Sequence, residues 1–273
     1  VPRLLALLEA RGIARERVRY VIPTHVHLDH AGGAGALMAA LPNATLVAHA
    51  RGARHLIDPT KLIAGATAVY GAAAIAQMYG EILAVPEARV TSPADGAALP
   101  FGDGELVFVD SPGHARHHFS IWDSVSEGFF TGDTFGLSYR DFDDPNGPEA
   151  VWLMPTTTPV QFEPDAWLAT LDRYLSFAPQ RMYLTHYSVV ENVPVLAANL
   201  RAGLARYVTL GQALAKAEGR HEKLKAAMFD DALTELRARR NPMPEATVRA
   251  LLENDIELNA QGMGVWLDRP ATA

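Results

Sequence analysis

Near its start the chain reads Thr24-His25-Val26-His27-Leu28-Asp29-His30-Ala31-Gly32-Gly33. Side chains alternate along an extended segment, so His25 and His27 point to one side and can share a metal ion. Asp29 and His30 follow where the chain turns into a helix, and they can face a second ion beside the first. Gly32 and Gly33 carry no side chain, which lets the backbone pass close behind. Single histidines at surfaces or helix caps are common; three of them with a carboxylate inside six positions form a metal-ligand pattern.

Three further segments complete the donor set. Ser111-Pro112-Gly113-His114, Thr131-Gly132-Asp133-Thr134 and Leu184-Thr185-His186 each follow an apolar run that reads as a strand. Each is weak alone, because a histidine after a strand is more often a hydrogen-bonded structural residue. Together they stand at the strand ends of one α/β region, where sites form. The total is five His and two Asp. A closed structural zinc takes four ligands, so seven donors suit two divalent cations bridged by a carboxylate and a water. Imidazole with carboxylate accommodates Zn, Fe and Mn; zinc is the default expectation.

The elements that must carry these residues follow from periodicity. Apolar runs at residues 18–22, 45–48, 106–109, 119–122, 129–131 and 182–184 read as strands, and Gly264 to Leu267 as a last short one. A short helix holds Leu4, Leu5, Leu7 and Leu8, and residues 32–40 read as a small-residue helix. Glu163-Pro164-Asp165 opens another, since proline fits the first turn and acids suit its dipole. From about Val193 apolar residues recur at helical spacing in three runs: Leu196 to Leu214, Leu224 to Leu236, and Val248 to Ile256. The expected class is therefore α/β, followed by a helical extension.

Composition excludes several roles. Lys and Arg number 24 against 31 Asp and Glu, a net charge of -7, which argues against a nucleic-acid partner. Arg237, Arg239 and Arg240 read as the solvated face of a helix. The zero cysteine count excludes disulfides, thiolate metal sites and Cys nucleophiles, and fits a cytoplasmic setting. No leader segment is visible, and no GxSxG signature. Residues 62–80 are uncharged but rich in Ala, Gly, Thr and Tyr, too weakly apolar to span a bilayer. They read as helices near a pocket, or as packing or a homodimer surface; no membrane role is expected.

The sequence resembles the metallo-β-lactamase-fold hydrolases. The likeness rests on HxHxDH at residues 25–30, with His114, Asp133 and His186 in the family's order, and covers about residues 13–190. It implies an αβ/βα sandwich of two mixed β-sheets with metals at one edge. Residues 1–192 would then form the catalytic domain and 193–273 a helical extension covering the active site. By the same resemblance His25, His27 and His114 hold one metal, Asp29, His30 and His186 the other, and Asp133 bridges them. A metal-bridging hydroxide would attack an ester, thioester, lactone or phosphoester, with Asp29 as the catalytic residue that orients it and shuttles a proton.

Within that family, the lack of cysteine excludes β-lactamases with a Cys ligand, and Asp133 departs from other antibiotic-cleaving members. The pattern is similar to the glyoxalase II, lactonase and phosphodiesterase branch. PGHARHH at residues 112–118 resembles that branch's PGHTxGH, with His117 where a Gly is usual. His118 matches the second His and is read as supporting the ligands rather than joining them. Quorum-signal lactonases usually carry a Tyr where this chain has Gly136; the nearest aromatic hydroxyl is Tyr139. No pattern matches the basic residues by which glyoxalase II grips glutathione. Flavodiiron proteins usually carry Glu at the place of His27, so a diiron redox protein is a lesser alternative, as is a metal-binding sensor. Family members also have strands before the first signature, whereas 24 residues precede His25 here; the expectation is either numbering from an internal point or a stretch that lacks the fold's first strands.

Selectivity must come from the pocket walls. Tyr70, Met78 and Tyr79 are expected to form part of them, and Arg140 beside Tyr139 to anchor a substrate anion, with an ion pair to Asp141 or Asp143 as the competing role. The expected substrate is a small, mostly apolar ester, thioester or lactone.

Overall fold

Pro2 opens the first helix, α1 (Pro2–Ala10), at the position where a missing N–H leaves nothing unsatisfied. The computed structural model describes residues 1–143, 151–157 and 160–269, apart from the side chains of Val69 and Tyr70. The chain packs as two compact units, one of Val1–Ala97 with His117–Phe119 and one of Ala98–Arg116 with Ser120–Ala273.

In the first unit α1 is followed by β1 (Tyr20–Val21), α2 (Leu28–Ala31), α3 (Ala34–Ala40), β2 (Thr45–Val47), α4 (Ala50–Ile57), α5 (Thr60–Tyr70), α6 (Ala72–Tyr79) and β3 (Val90–Thr91). The helix expected over residues 32–40 is α3 and starts at Ala34, with Gly32 and Gly33 separating it from α2. The three strands form a sheet in the order β1-β2-β3, both pairings parallel, with Tyr20 opposite Thr45 and Leu46 opposite Val90. Leu46 is fully buried, and Val26, Met38, Leu41, Leu56 and Val85 close the core around it. Arg89 donates to the carbonyls of Met38 (2.8 Å) and Ala44 (2.7 Å), supplying partners to acceptors that the end of α3 and the loop after it leave open. Gly35 is obligatory: a Cβ there would stand 1.9 Å from the Leu83 carbonyl oxygen.

The second unit contains β4 (Ala98–Phe101), β5 (Gly104–Asp110), β6 (Phe119–Asp123), β7 (Gly128–Gly132), α7 (Pro164–Ser176), β8 (Arg181–Leu184), β9 (Val189–Val190), α8 (Val193–Leu214), α9 (Arg220–Ala238) and α10 (Glu245–Leu267); β6 takes its first residue from the first unit. Its six-stranded sheet runs β4-β5-β6-β7-β8-β9 and is mixed: β7 and β8 are parallel, while β4–β5, β6–β7 and β8–β9 are antiparallel. On α7 the buried residues Trp167, Thr170, Leu171 and Tyr174 follow the i, i+3, i+4, i+7 stripe that faces a core. Phe129 of β7, Met182 of β8, Leu200 of α8, Met228 of α9 and Leu252 of α10 belong to one apolar cluster with them. The helices after residue 192 therefore share the core of the second sheet.

One expected element is corrected. Gly264 to Leu267 is the last turn of α10, not a strand. Val265, Trp266 and Leu267 suit a strand locally, but the buried series Ile256, Asn259, Ala260 and Met263 carries the helical period through, and Trp266 packs edge-on against Phe162 with ring centroids 5.7 Å apart. Among the described residues no single helix is long and apolar enough to cross a bilayer; α5 (up to Ala68) and α6 meet that composition only jointly and are bent by 119°.

Candidate metal centre

In the first unit the segment after β1 bends at Thr24, His25 and His27 rather than running as an extended strand, and Thr24, His25 and Val26 are all buried. Val26 is buried in the core, and His25 and His27 flank it. His25 Nε2 lies 2.9 Å from His27 Nδ1, so two donor nitrogens converge on one point. Thr24 Oγ1 stands 3.2 Å from the other ring nitrogen of His25. His27 is the N-cap of α2, whose first turn carries Asp29 and His30. The His30 ring centroid is 4.0 Å from that of His25, and His30 Nε2 lies 3.3 Å from Asp29 Oδ2. The Asp29 side chain is 46% exposed, which leaves its carboxylate open to water.

His118 stacks on His25 at 4.8 Å between centroids, and the Val26 N–H donates to His117 Nδ1 at 3.5 Å. The Phe119 N–H donates to the Thr24 carbonyl at 3.0 Å, which ties residues 117–119 to the ligand segment. Gly52 is needed beside them, since a Cβ would stand 2.7 Å from Val26 Cγ1. Of the expected wall residues, Tyr79 lies close to α2: its Cδ1 is 3.2 Å from where a Gly32 Cβ would be. Met78 is exposed, and the Tyr70 side chain lies outside the described residues.

In the second unit the turns that follow β5, β7 and β8 carry His114, Asp133 and His186, and Asp133 faces both imidazoles. Its Oδ2 is 3.4 Å from His114 Nε2 and its Oδ1 is 3.6 Å from His186 Nε2. The turn that presents Asp133 is clamped. Gly132 takes φ +52°, Thr134 Oγ1 donates to the Thr131 carbonyl at 3.0 Å, and Trp167 Nε1 donates to the Thr134 carbonyl at 2.7 Å. The buried Tyr174 hydroxyl bonds both Ser120 and Thr134 from below. Gly113, just before His114, has φ +132° and packs directly on Trp167.

His114 is fully buried, and its Nδ1 lies 2.9 Å from the Thr156 carbonyl. The Thr156 hydroxyl stands 2.8 Å from the same nitrogen, so both polar groups of Thr156 hold Nδ1; a proton there, accepted by the carbonyl, leaves on Nε2 the lone pair that faces Asp133. The Thr156 hydroxyl in turn donates to the Asp133 carbonyl at 3.3 Å. These are the features of a divalent-cation site: unprotonated imidazole nitrogens and carboxylate oxygens, with the remaining ring nitrogens held by the protein.

Tyr139 and Arg140 are engaged within the same unit. The Tyr139 hydroxyl donates to Asp255 on α10, and burial, then that carboxylate, push its pKa up. Asp255 is itself pushed up by burial, opposed by the Tyr139 hydrogen bond and the His186 imidazole, with the Asp133 charge adding to the rise. The Arg140 guanidinium lies over the Tyr187 ring, 4.0 Å from its centroid, donates to the Tyr187 hydroxyl at 3.0 Å and pairs with Asp143 at 3.3 Å. Three contributors were missed in the sequence: Thr156, Asp255 and Asn259. The last two are polar residues four apart on the inward side of α10, a signal that the helical pattern contained.

Residues 2–186 match the model of the Metallo-beta-lactamase superfamily. A metallo-beta-lactamase fold-containing protein of Sulfurisphaera tokodaii is 26% identical over 179 residues, which is 64% of this chain and 62% of that protein. An N-acyl homoserine lactonase of Azorhizobium caulinodans is 31% identical over 120 residues, 43% of this chain and 40% of the lactonase. The chain thus spans less than two thirds of either relative. Among solved structures, an archaeal metallo-beta-lactamase superfamily protein from Sulfolobus tokodaii superposes with a TM-score of 0.60 at 20% identity, covering 90% of this chain and 79% of that one. With its two sheets, its helices and its strand-end His and Asp donors, the chain belongs to the metallo-beta-lactamase superfamily and has that fold.

Proposed function

We propose that the chain is a dinuclear metal-dependent hydrolase of a small ester, thioester or lactone. The observation that carries this is Asp133, whose two oxygens each face a different imidazole, as a carboxylate shared by two cations requires. On this reading His25, His27 and His114 would hold one cation, Asp29, His30 and His186 would hold the other, and Asp133 would serve both. Zinc is the metal we favour over iron or manganese. When bound, such a pair of cations brings the pKa of a water toward neutrality and polarises a carbonyl oxygen.

The protein's own groups supply the rest. Thr156 and Thr24 hold ring nitrogens of His114 and His25, so the ligands need not reorient. The solvent-open carboxylate of Asp29 can orient the attacking water, hold its proton and release it to the leaving group. Arg140 is already committed to Asp143 and Tyr187, and the net charge is -7, so a polyanionic phosphodiester finds little to hold it. The partial likeness to a lactonase supports the carboxylic-ester class. The absence of cysteine suits a reducing compartment such as the cytoplasm.

The test is elemental analysis followed by a panel of thioesters, lactones, aryl esters and a bis-aryl phosphodiester, with His27→Ala as the control. Two metals per chain and turnover of an acyl substrate, lost in the control, are expected. One metal at saturation, or cleavage confined to the phosphodiester, would overturn the reading.

A further inference from the structure

Asn259 is a polar residue on the buried stripe of α10, among Leu252, Ile256, Ala260 and Met263, and is only 2% exposed. Both ends of its carboxamide are engaged. Oδ1 accepts the Thr157 N–H at 2.6 Å, and Nδ2 donates to the Pro155 carbonyl at 3.1 Å. The Asn259 backbone carbonyl also accepts the Thr157 hydroxyl at 2.9 Å. One residue of α10 therefore grips the chain on both sides of Thr156.

Thr156 is the residue that sets two of the donors. Its carbonyl and its hydroxyl stand 2.9 and 2.8 Å from His114 Nδ1, and the hydroxyl also bonds the carbonyl of Asp133. Since the His114 ring is fully buried, water cannot orient it in place of Thr156. A carboxamide is the group that can both accept from one peptide and donate to the next at this distance; an aspartate lacks the donor and a leucine lacks both.

We infer that Asn259 is a positioning residue for the metal centre, acting through the segment 155–157 to fix the tautomer and ring orientation of His114. The inference rests on the metal-centre reading and deepens it: the helices after residue 192 help to set the affinity of a metal whose ligands all lie before them. Loss of such an indirect support typically weakens a metal about 10- to 100-fold.

The experiment is a zinc titration against a chromophoric chelator on the wild type, Asn259→Leu and Asn259→Asp. It is accompanied by visible spectra of the cobalt-substituted proteins and thermal unfolding of the metal-free forms. We expect one of the two zinc ions to weaken in both variants, by about 10- to 100-fold in Asn259→Leu and less in Asn259→Asp, with a shifted cobalt absorption. Wild-type affinity and an unchanged cobalt spectrum in Asn259→Asp, with only the metal-free melting temperature lowered, would overturn the inference and leave Asn259 a packing staple. If Asn259→Leu does not fold, Asn259→Asp decides alone, because it is isosteric and keeps the Thr157 bond. A wild type that binds no zinc would fail the metal-centre reading itself, and with it this one, before any variant is compared.

Discussion

Asp133 places one oxygen toward His114 and the other toward His186, and the turn that holds it is pinned by Thr134, Trp167 and Tyr174. On the proposed dinuclear reading, its replacement should act on both metals at once. We expect Asp133→Asn to lose at least one metal per chain by elemental analysis and to drop kcat/KM by about 100-fold or more; two retained metals would contradict this. Next to His114, Gly113 combines φ +132° with a site where a Cβ would stand 2.4 Å from Trp167 Cβ. Gly113→Ala therefore strains the backbone and overpacks the core together. A loss of about 2–4 kcal/mol is expected in urea unfolding, and a loss below about 1 kcal/mol would show that the turn can relax. At this scale the candidate donors were legible, because a metal site would demand particular residue types at short spacing. Thr156 was not, because a backbone carbonyl and a hydroxyl are common groups, and nothing local marks the ones that meet His114 and Asp133.

The helices carry a second layer of information. The stripes on α7 and α8 were visible from their period, since burial of one face requires it. The end of α10 departs from its strand-like sequence because Val265, Trp266 and Leu267 suit a strand only locally, and the deciding contact, Trp266 on Phe162, comes from a residue about a hundred positions away. Between α9 and α10, Glu257 accepts from Lys225 at 2.8 Å, from Gln261 at 2.8 Å and pairs with His221 at 3.0 Å. Lys225, then Gln261, hold its pKa down from 4.5 to about 2. A depressed carboxylate stabilises fully above its unfolded value and loses that contribution as the pH falls through its folded one. The melting temperature of the wild type should thus fall more steeply from pH 4.5 toward about 2 than that of Glu257→Gln. Because the pair is partly in solvent, the difference should amount to about 0.5–1 kcal/mol. Parallel curves would remove Glu257 from the account.

For the molecule as a whole, bound metal should add to folding stability by mass action, about 2.7 kcal/mol when free metal is 100 times Kd. Dialysis against a chelator should lower the melting temperature, and zinc should restore it; a melting temperature indifferent to both would speak against a native metal centre. The sequence by itself determined the donor types, their order along the chain, the α/β class and the helical character after Val193. These follow from local spacing and periodicity, which each segment carries without its neighbours. Only the tertiary structure decided that α8 to α10 share the core of the second sheet, that Asp133 turns one oxygen to each imidazole, and that Asn259 grips the segment holding His114. Those facts join residues far apart in the chain, more than a hundred positions for Asn259 and Pro155, and no local pattern marks a partner that distant. The physical reason is that a buried carboxamide must find both a donor and an acceptor, and which peptide groups lie within reach is settled by packing alone.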